Sequence, residues 1–172
     1  MPARAAAWDP TPALDLMRRE RFAEALSHVR TRPPETGDPD ALLLEAMLLT
    51  HGGHLAEAEM ACRRLLALDE LNAGAHYVLA LCREHAGEAV VAAEHDRVAA
   101  YLDPGFAMPR LHLGLLARRS GDREAAQREL TQALFLLERE DSARLLLFGG
   151  GFNREALVAL CNSALKECGG RS

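Results

Sequence analysis

Apolar residues recur along most of the chain at the three- and four-residue spacing of amphipathic helices. The last stretch shows this most clearly, because its apolar residues share one helical face: Leu157, Leu160, Cys161, Ala164, Leu165 and Cys168. Asn153 precedes this face at the position of an N-cap. The pattern therefore predicts a final helix that begins after Asn153 and packs against the rest of the protein through one side.

Small residues repeat through the middle of the chain with a period of 34 residues. One series consists of the glycines Gly53, Gly87 and Gly121. Two further series follow the same period: Ala46, Ala80 and Gly114, and Ala58, Ala92 and Ala126. A fixed period of this length is typical of repeat proteins, in which each unit stacks on its neighbours because it cannot bury its apolar face alone.

Capping signals divide each period into two helices joined by a turn. Asp38 and Pro39 predict the start of the first unit, Asn72 the second, and Asp103-Pro104 the third. Asp and Asn side chains accept hydrogen bonds from the free N–H groups of a first turn, and proline is tolerated at the first helical position. The glycine of each period ends the first helix, and Asp122 caps the last partner helix. Three helix–turn–helix units are predicted over residues 39–140.

The flanks of this region depart from the period. Residues 1–10 are predicted to be a linker and residues 11–38 a degenerate helical unit with a linker, because Pro33 and Pro34 cannot continue a helix. Residues 141–172 are predicted to form a glycine-rich connector, with Gly149–Gly151, and a capping helix. The predicted fold class is all-α: a right-handed superhelix of three repeats, with a degenerate unit before them and a capping helix after them.

Composition supports helices and excludes several classes of function. Of the 172 residues, 49% are hydrophobic but only 5% are aromatic, and isoleucine is absent, so residues that favour strands are scarce. The net charge of -5 with scattered arginines offers no basic face to a nucleic acid. Apolar runs such as Leu145–Phe148 are far shorter than the roughly 20 residues that span a bilayer. No apolar segment follows Arg4, so no secretory signal is predicted and we expect a cytoplasmic protein without membrane insertion.

Candidate sites for chemistry are sparse. His51, His54 and His85 lie near the predicted turns, but the sequence clusters no set of four zinc ligands. Gly149–Gly151 lacks the Lys-Ser/Thr of a phosphate-binding loop. The cysteines show no C-x-x-C spacing and are expected to be reduced thiols: Cys62, Cys82, Cys161 and Cys168. We therefore predict no catalytic, cofactor-binding or metal-binding residue; an enzyme that uses Cys161 or Cys168 is a separate hypothesis.

The period and its small residues resemble the tetratricopeptide repeat (TPR) over residues 39–140. The resemblance implies that the first helix of each unit lines a concave groove that binds protein partners. The groove residues that it implies are Leu43, Met47, His51, Tyr77, Leu81, His85, Met108, Leu111, Leu115, Arg118 and Arg119. These residues make an apolar groove with a polar rim, which suits an amphipathic helix better than a charged peptide tail. Alternatively, the last helix of the chain or packing between repeats fills the groove.

Two segments, together with the final helix, resemble a particular family of TPR-containing proteins more specifically than the repeats do: Tyr101–Asp122 and Leu145–Leu157. Over residues 39–168 the chain resembles the C-terminal TPR region of CheR-type chemoreceptor methyltransferases of the Wsp and Frz kind. This resemblance implies a longer parent protein, whose S-adenosylmethionine-dependent catalytic domain methylates receptor glutamates. The chain itself has no glycine-rich cofactor loop, so it is expected to be the non-catalytic regulatory part.

Two functions follow as hypotheses. The first is a regulatory domain that controls receptor methylation by contacting a chemoreceptor, the methyltransferase catalytic domain or another chemosensory protein. The second is a free-standing TPR adaptor of a secretion or pilus machine, or of another bacterial assembly. Both predict a protein partner and no cofactor.

Overall fold

The structure is a computed structural model that describes residues 8–33 and 38–169. Within these ranges the chain forms ten helices and no strand, which confirms the predicted all-α fold class. In chain order the helices are α1 (Thr11–Arg18), α2 (Phe22–Val29), α3 (Pro39–His51), α4 (Leu55–Leu68), α5 (Ala73–His85), α6 (Ala89–Leu102), α7 (Ala107–Ser120), α8 (Arg123–Leu137), α9 (Ser142–Phe148) and α10 (Arg154–Gly169). None of these helices is long and apolar enough to cross a membrane.

Three consecutive helix pairs, α3–α4, α5–α6 and α7–α8, form the repeated region. The turn glycines Gly53, Gly87 and Gly121 have φ angles of 77°, 79° and 83°. Only glycine adopts this left-handed conformation without strain, so the 34-residue glycine series marks the three turns. The other small residues allow the paired helices to approach closely: a Cβ atom on Gly114 would lie 2.6 Å from Cγ of Leu130.

The predicted caps are present at four helices. Asp38 accepts a hydrogen bond from the backbone N–H of Asp40, and Asn72, Asp122 and Asn153 accept from the residue three positions further on. These four N–O distances are 2.9–3.0 Å. Local sequence therefore defines where α3, α5, α8 and α10 begin.

The predicted cap of the third unit is wrong. Asp103 Oδ1 accepts from the backbone N–H of Gly105 within a turn, and α7 begins at Ala107 instead. The N–H of Ala107 donates to Oε2 of Glu140, at 2.8 Å, and Glu140 is 33 residues away in the chain. A buried carboxylate from another part of the fold thus replaces the local cap, which no local sequence signal could reveal.

The core runs through the three helix pairs and continues into α10. From the predicted apolar face of α10, Leu157, Cys161, Ala164 and Cys168 are buried. A second apolar cluster joins α1 and α2 to α3 and includes Met17, Val29 and Leu48. Residues 1–7 of the predicted linker, residues 34–37 of the predicted proline break and residues 170–172 lie outside the described residues.

The C-terminal segment crosses from one end of the repeats to the other. Helix α9 packs against α1 and α3, whereas α10 packs against α7 and α8. The predicted connector therefore contains a short helix, which Asp141 caps through the backbone N–H groups of Ala143 and Arg144. The bend between α9 and α10 uses Gly150 and Gly151, both with positive φ.

Candidate functional site

The first helices of the three pairs line one cavity of about 340 Å³. Nine of the eleven groove residues predicted from the sequence lie in its wall: Met47, His51, Tyr77, Leu81, His85, Met108, Leu111, Leu115 and Arg119. The structure thus brings together residues from α3, α5 and α7 that are far apart in the chain. We refer to this space as the groove.

The other two predicted groove residues lie outside this wall. The Leu43 side chain is buried against α5, where a Cβ atom on Gly74 would be 2.8 Å from Leu43 Cδ2. Arg118 forms an ion pair with Glu167 of α10. Leu43 therefore contributes to the core, and Arg118 pairs with the final helix at the surface.

The C-terminal segment of the chain closes the deep part of the groove. Phe148 is 4% exposed and lies edge-on to the ring of Tyr77, with 5.7 Å between the ring centroids. Gly74 makes room for it, because a Cβ atom there would lie 2.9 Å from Phe148 Cζ. Tyr77 and Leu111 are 3% and 2% exposed and belong to the core. Part of the groove is therefore occupied by Phe148 of α9, whereas the alternative drawn from the sequence named the last helix or packing between repeats.

An apolar opening remains beside this segment. Its half-buried residues are Leu81 and Leu115, and its exposed residues are His51, His85, Arg119, Phe152 and Leu160. We call these seven residues the groove mouth. Phe152 and Leu160 are 59% and 40% exposed. The C-terminal segment thus contributes two of the apolar residues that a partner could contact.

A chain of charged side chains lies against one wall of the groove. His112 Nε2 donates to Glu84 Oε2 at 2.6 Å, and His112 Nδ1 lies 2.6 Å from Asp96 Oδ2. Arg119, at the groove mouth, pairs with the other oxygen of Glu84. Asp96 has no exposed surface, and neither of its oxygens forms a well-aligned hydrogen bond within the described residues. We call Asp96, His112, Glu84 and Arg119 the charged network.

Burial and pairing shift the pKa values of this network in different directions. Burial opposes a charge on His112, but hydrogen bonds and the negative charges of Asp96 and Glu84 outweigh it and raise the His112 pKa to about 9. Burial raises the pKa of Asp96 to about 6, although His112 opposes this. The hydrogen bond from His112 lowers the pKa of Glu84 to about 2. Near neutral pH, His112 therefore carries a positive charge between two carboxylates.

A difference between equivalent positions of the repeats marks this network in the sequence. At the 34-residue period, Asp96 corresponds to Cys62 and Leu130, and His112 corresponds to Val78. Those three residues have no exposed surface. The second and third units thus place a polar pair where the other units place apolar side chains, and a comparison of the units position by position could have found it.

The cysteines and the turn histidines form no obvious reactive centre. All four cysteines are buried, and burial raises the pKa of Cys62 to about 12 and that of Cys161 to about 11. Both are therefore protonated thiols, which are poor nucleophiles. His51 stacks on Phe22 with 4.8 Å between ring centroids. Across residues 8–33 and 38–169, no three His, Cys, Asp or Glu side chains are arranged to hold a metal ion.

Solved structures share this fold. PcrH from Pseudomonas aeruginosa superposes with a TM-score of 0.63 at 19% identity, over 81% of this chain and 97% of that chain. PcrH in complex with the chaperone binding region of PopD superposes with a TM-score of 0.62 at 19% identity, over 76% of this chain and 90% of that chain. A chain of a T3SS complex from Aeromonas hydrophila superposes with a TM-score of 0.62 at 19% identity, over 88% of this chain and 94% of that chain. At this level of identity the likeness establishes the TPR-like fold alone.

Sequence similarity points to a particular kind of TPR protein. The chain is 32% identical over 123 residues to the probable biofilm formation methyltransferase WspC of Pseudomonas aeruginosa. It is 29% identical over 120 residues to WspC of Pseudomonas putida. This chain is a TPR-like domain that resembles part of WspC.

The TPR-like domain spans only part of these relatives. Each alignment covers 69% of the domain and 28% of the methyltransferase. No protein-family model matches the domain.

Proposed function

We propose that this TPR-like domain is the non-catalytic regulatory part of a CheR-type protein-glutamate methyltransferase in the bacterial cytoplasm. It binds a protein partner at the groove mouth and so controls which receptor glutamates the catalytic domain reaches. The partner is the chemoreceptor, the catalytic domain or another chemosensory protein. The observation that carries this proposal is the similarity to WspC over 69% of the chain.

The shape of the groove mouth supports a protein partner. Leu81, Leu115 and Leu160 offer apolar surface, and His85 and Arg119 surround it with polar groups. An apolar centre with a polar rim is the usual anatomy of a protein–protein interface. Tyr77 and Leu111, by contrast, are covered by the chain itself and are not available for contact.

The proposal is tested by measuring methylation of the receptor by the catalytic domain, with and without the TPR-like domain attached. We expect both the rate and the set of methylated glutamates to change when the domain is removed. The same assay with Leu115→Glu or Leu160→Glu places a charge at the groove mouth and should reproduce the effect of removal.

Leu71→Glu is the matched control, because Leu71 is 69% exposed in the turn before α5 and lies outside the groove. Circular dichroism of each variant checks that the helices are retained. An unchanged rate and an unchanged methylation pattern after removal of the whole domain would refute the regulatory role. Normal methylation by folded Leu115→Glu and Leu160→Glu would place the interface elsewhere.

The structural likeness to PcrH favours a second candidate, an adaptor of a secretion machine. PcrH has been solved with the chaperone binding region of PopD, and its fold covers most of this chain. The reading frame that encodes this chain separates the two functions. A methyltransferase domain in the same frame supports regulation of methylation, whereas a frame among secretion genes without such a domain supports the adaptor.

A further inference from the structure

The segment that covers the deep groove is a loop whose two ends meet. It leaves the repeats after Glu140, contains α9 and returns at Arg154. The Arg154 guanidinium donates to the carbonyl oxygen of Glu140, at 2.7 Å, and to that of Leu137. The two ends are thus clipped together beside the end of α8, and residues 141–153 project from that base. We call residues 141–153 the α9 loop. Compact loops of about 6–16 residues with adjoining ends are frequently functional.

The tip of the α9 loop places one side chain in the groove. The ring centroid of Phe148 lies 4.7 Å from that of Phe106 and 5.7 Å from that of Tyr77, and all three rings are buried. We call the space between the rings of Tyr77 and Phe106 the aromatic seat. Phe148 lines the same cavity as Leu81 and Leu115, so the aromatic seat is continuous with the groove mouth.

Few polar contacts fasten the α9 loop to the repeats. Within the described part of the chain, one ion pair joins residues 142–152 to the three helix pairs and their turns, and it runs from Arg144 to Asp103. The Arg144 guanidinium also lies 4.1 Å from the centroid of the Phe106 ring. Helix α9 has only seven residues, and a helix of this length is not stable in water without packing. Side-chain packing therefore holds most of the loop in place.

Three glycines, Gly149–Gly151, follow α9 at the tip of the loop. Gly150 and Gly151 have φ angles of 64° and 85°, which glycine adopts without strain. The tip lies close to α3 and α2: a Cβ atom on Gly150 would be 3.0 Å from His51 Cε1, and one on Gly151 would be 3.3 Å from Phe22 Cζ. Small residues are often found at hinges, where they absorb the change in backbone angles when a lid moves. The α9 loop thus combines a clipped base with a run of glycines beside its tip.

We propose that the α9 loop is a releasable lid that inhibits the groove from within. In the closed state Phe148 occupies the aromatic seat. In the open state α9 swings away from its base, and a bulky apolar side chain from an amphipathic helix of the partner takes the seat. Closure of the lid and binding at the seat exclude each other, because both side chains need the same space. This inference rests on the proposed function, since the seat deepens the same groove.

Opening of the lid is tested by cysteine labelling with N-ethylmaleimide in the full 172-residue chain. Leu145→Cys places a thiol on the buried face of α9 and leaves Phe148 unchanged. Cys62 of α4 and Cys161 of α10 have no exposed surface and are controls within the same molecule. At pH 7.5 we expect the introduced thiol to react at least about tenfold faster than either control, because local opening exposes it without unfolding the repeats. Mass spectrometry of the digested protein measures each rate.

A matched pair of arginine variants tests what keeps the lid closed. Arg144→Gln removes the ion pair to Asp103, so the thiol introduced on α9 should react faster while Cys62 keeps its rate. Arg139→Gln is the control, because Arg139 also lies over an aromatic ring, that of Phe135, which is exposed and outside the groove. It should leave every rate unchanged.

Two labelling results would overturn the lid. If the thiol introduced on α9 reacts no faster than Cys62, α9 opens only when the whole fold opens. If Cys161 reacts as fast as the introduced thiol, the entire C-terminal segment detaches and the clip at Arg154 is not a base.

Inhibition of the groove is tested in the methylation assay of the proposed function. Phe148→Ala empties the aromatic seat, so the difference in methylation rate with and without the TPR-like domain should grow by at least about threefold, because the closed state no longer competes with the partner. Met17→Ala is the control, since Met17 is equally buried but belongs to the cluster of α1 and α2. An unchanged or smaller difference for Phe148→Ala that is folded by circular dichroism would refute inhibition by the lid. If removal of the whole domain leaves methylation unchanged, the proposed function fails, and the labelling rates, which need no partner, still decide whether the lid opens.

Discussion

Nδ1 of His112 lies 2.6 Å from Oδ2 of Asp96, so a charged pair joins α7 to α6 inside the core. The pair stands at repeat positions that elsewhere hold apolar side chains, such as Cys62 and Val78. A buried ion pair contributes little net stability, because removing two charges from water costs about as much as their attraction returns. Loss of one partner alone strongly destabilises the fold, because the other partner is left as an uncompensated buried charge.

This asymmetry predicts the outcome of a double-mutant cycle. His112→Val should lower the free energy of unfolding at pH 7 by about 3–5 kcal/mol, because it leaves Asp96 without its cation. Asp96→Leu/His112→Val restores the apolar residue types of the other units and should recover most of that loss. Urea unfolding followed by circular dichroism measures both values. Additive losses in the double variant would show that the two residues act independently.

Stability should fall on the alkaline side because of His112. The pKa of His112 is raised from 6.5 to about 9 in the folded protein. A raised pKa means that the folded state holds the proton more tightly, so this stabilisation is full below pH 6.5 and is lost as pH rises through 9. We expect the free energy of unfolding to decline between pH 6.5 and 9 in the wild type but to change much less in Asp96→Leu/His112→Val.

The other shifted groups of the network act at lower pH. Glu84, whose pKa falls from 4.5 to about 2, stabilises the fold above pH 4.5 and loses this effect as pH falls towards 2. Asp96, whose pKa rises from 3.8 to about 6, favours the folded state most when protonated, below pH 3.8. For the alkaline range, an equal loss of unfolding free energy between pH 6.5 and 9 in the wild type and in Asp96→Leu/His112→Val would show that the loss comes from groups other than His112.

Replacement of Gly114 by alanine should destabilise the folded protein. In an exposed helix alanine is about 1 kcal/mol more favourable than glycine. Here the new Cβ atom would lie 2.6 Å from Leu130 Cγ and 3.2 Å from the Leu130 backbone nitrogen, which cannot rotate away. We expect Gly114→Ala to destabilise the protein by about 1–3 kcal/mol in urea unfolding. Gly105→Ala is the control, since its Cβ would meet only Asp103 Oδ1 at 3.6 Å; equal stability of the two variants would contradict the packing argument.

Glu140 should act as a long-range cap of α7. Its Oε2 atom accepts from the N–H of Ala107 in a buried setting, where a negative charge also favours the start of a helix. Glu140→Gln should therefore lower the free energy of unfolding by about 1–2 kcal/mol, with α7 affected first. Hydrogen exchange of the α7 amides measures the local effect. Glu138→Gln provides the comparison, because Glu138 is exposed and pairs with Arg139. An equal loss of unfolding free energy in both variants would show that Glu140 does not cap α7.

Much of the architecture was predictable from the order of residues alone. The glycines of the 34-residue series mark turns with positive φ, and Asp38, Asn72 and Asp122 cap the helices expected of them. These features depend on contacts within a few residues, so each carries its own local signal. Nine of the groove residues that the resemblance to the tetratricopeptide repeat implied line one cavity, because a repeat places equivalent positions on one side.

Contacts between distant segments account for what the sequence did not reveal. Phe148 covers Tyr77 because α9 leaves the repeat register and crosses to α1 and α3, a path set by the packing of the whole fold. Glu140 replaces the expected cap at Asp103, and Asp96 meets His112, only because the helices bring these side chains within hydrogen-bonding distance. Local propensity sets where helices start and stop, whereas the burial of charges and of groove residues depends on neighbours that only folding supplies.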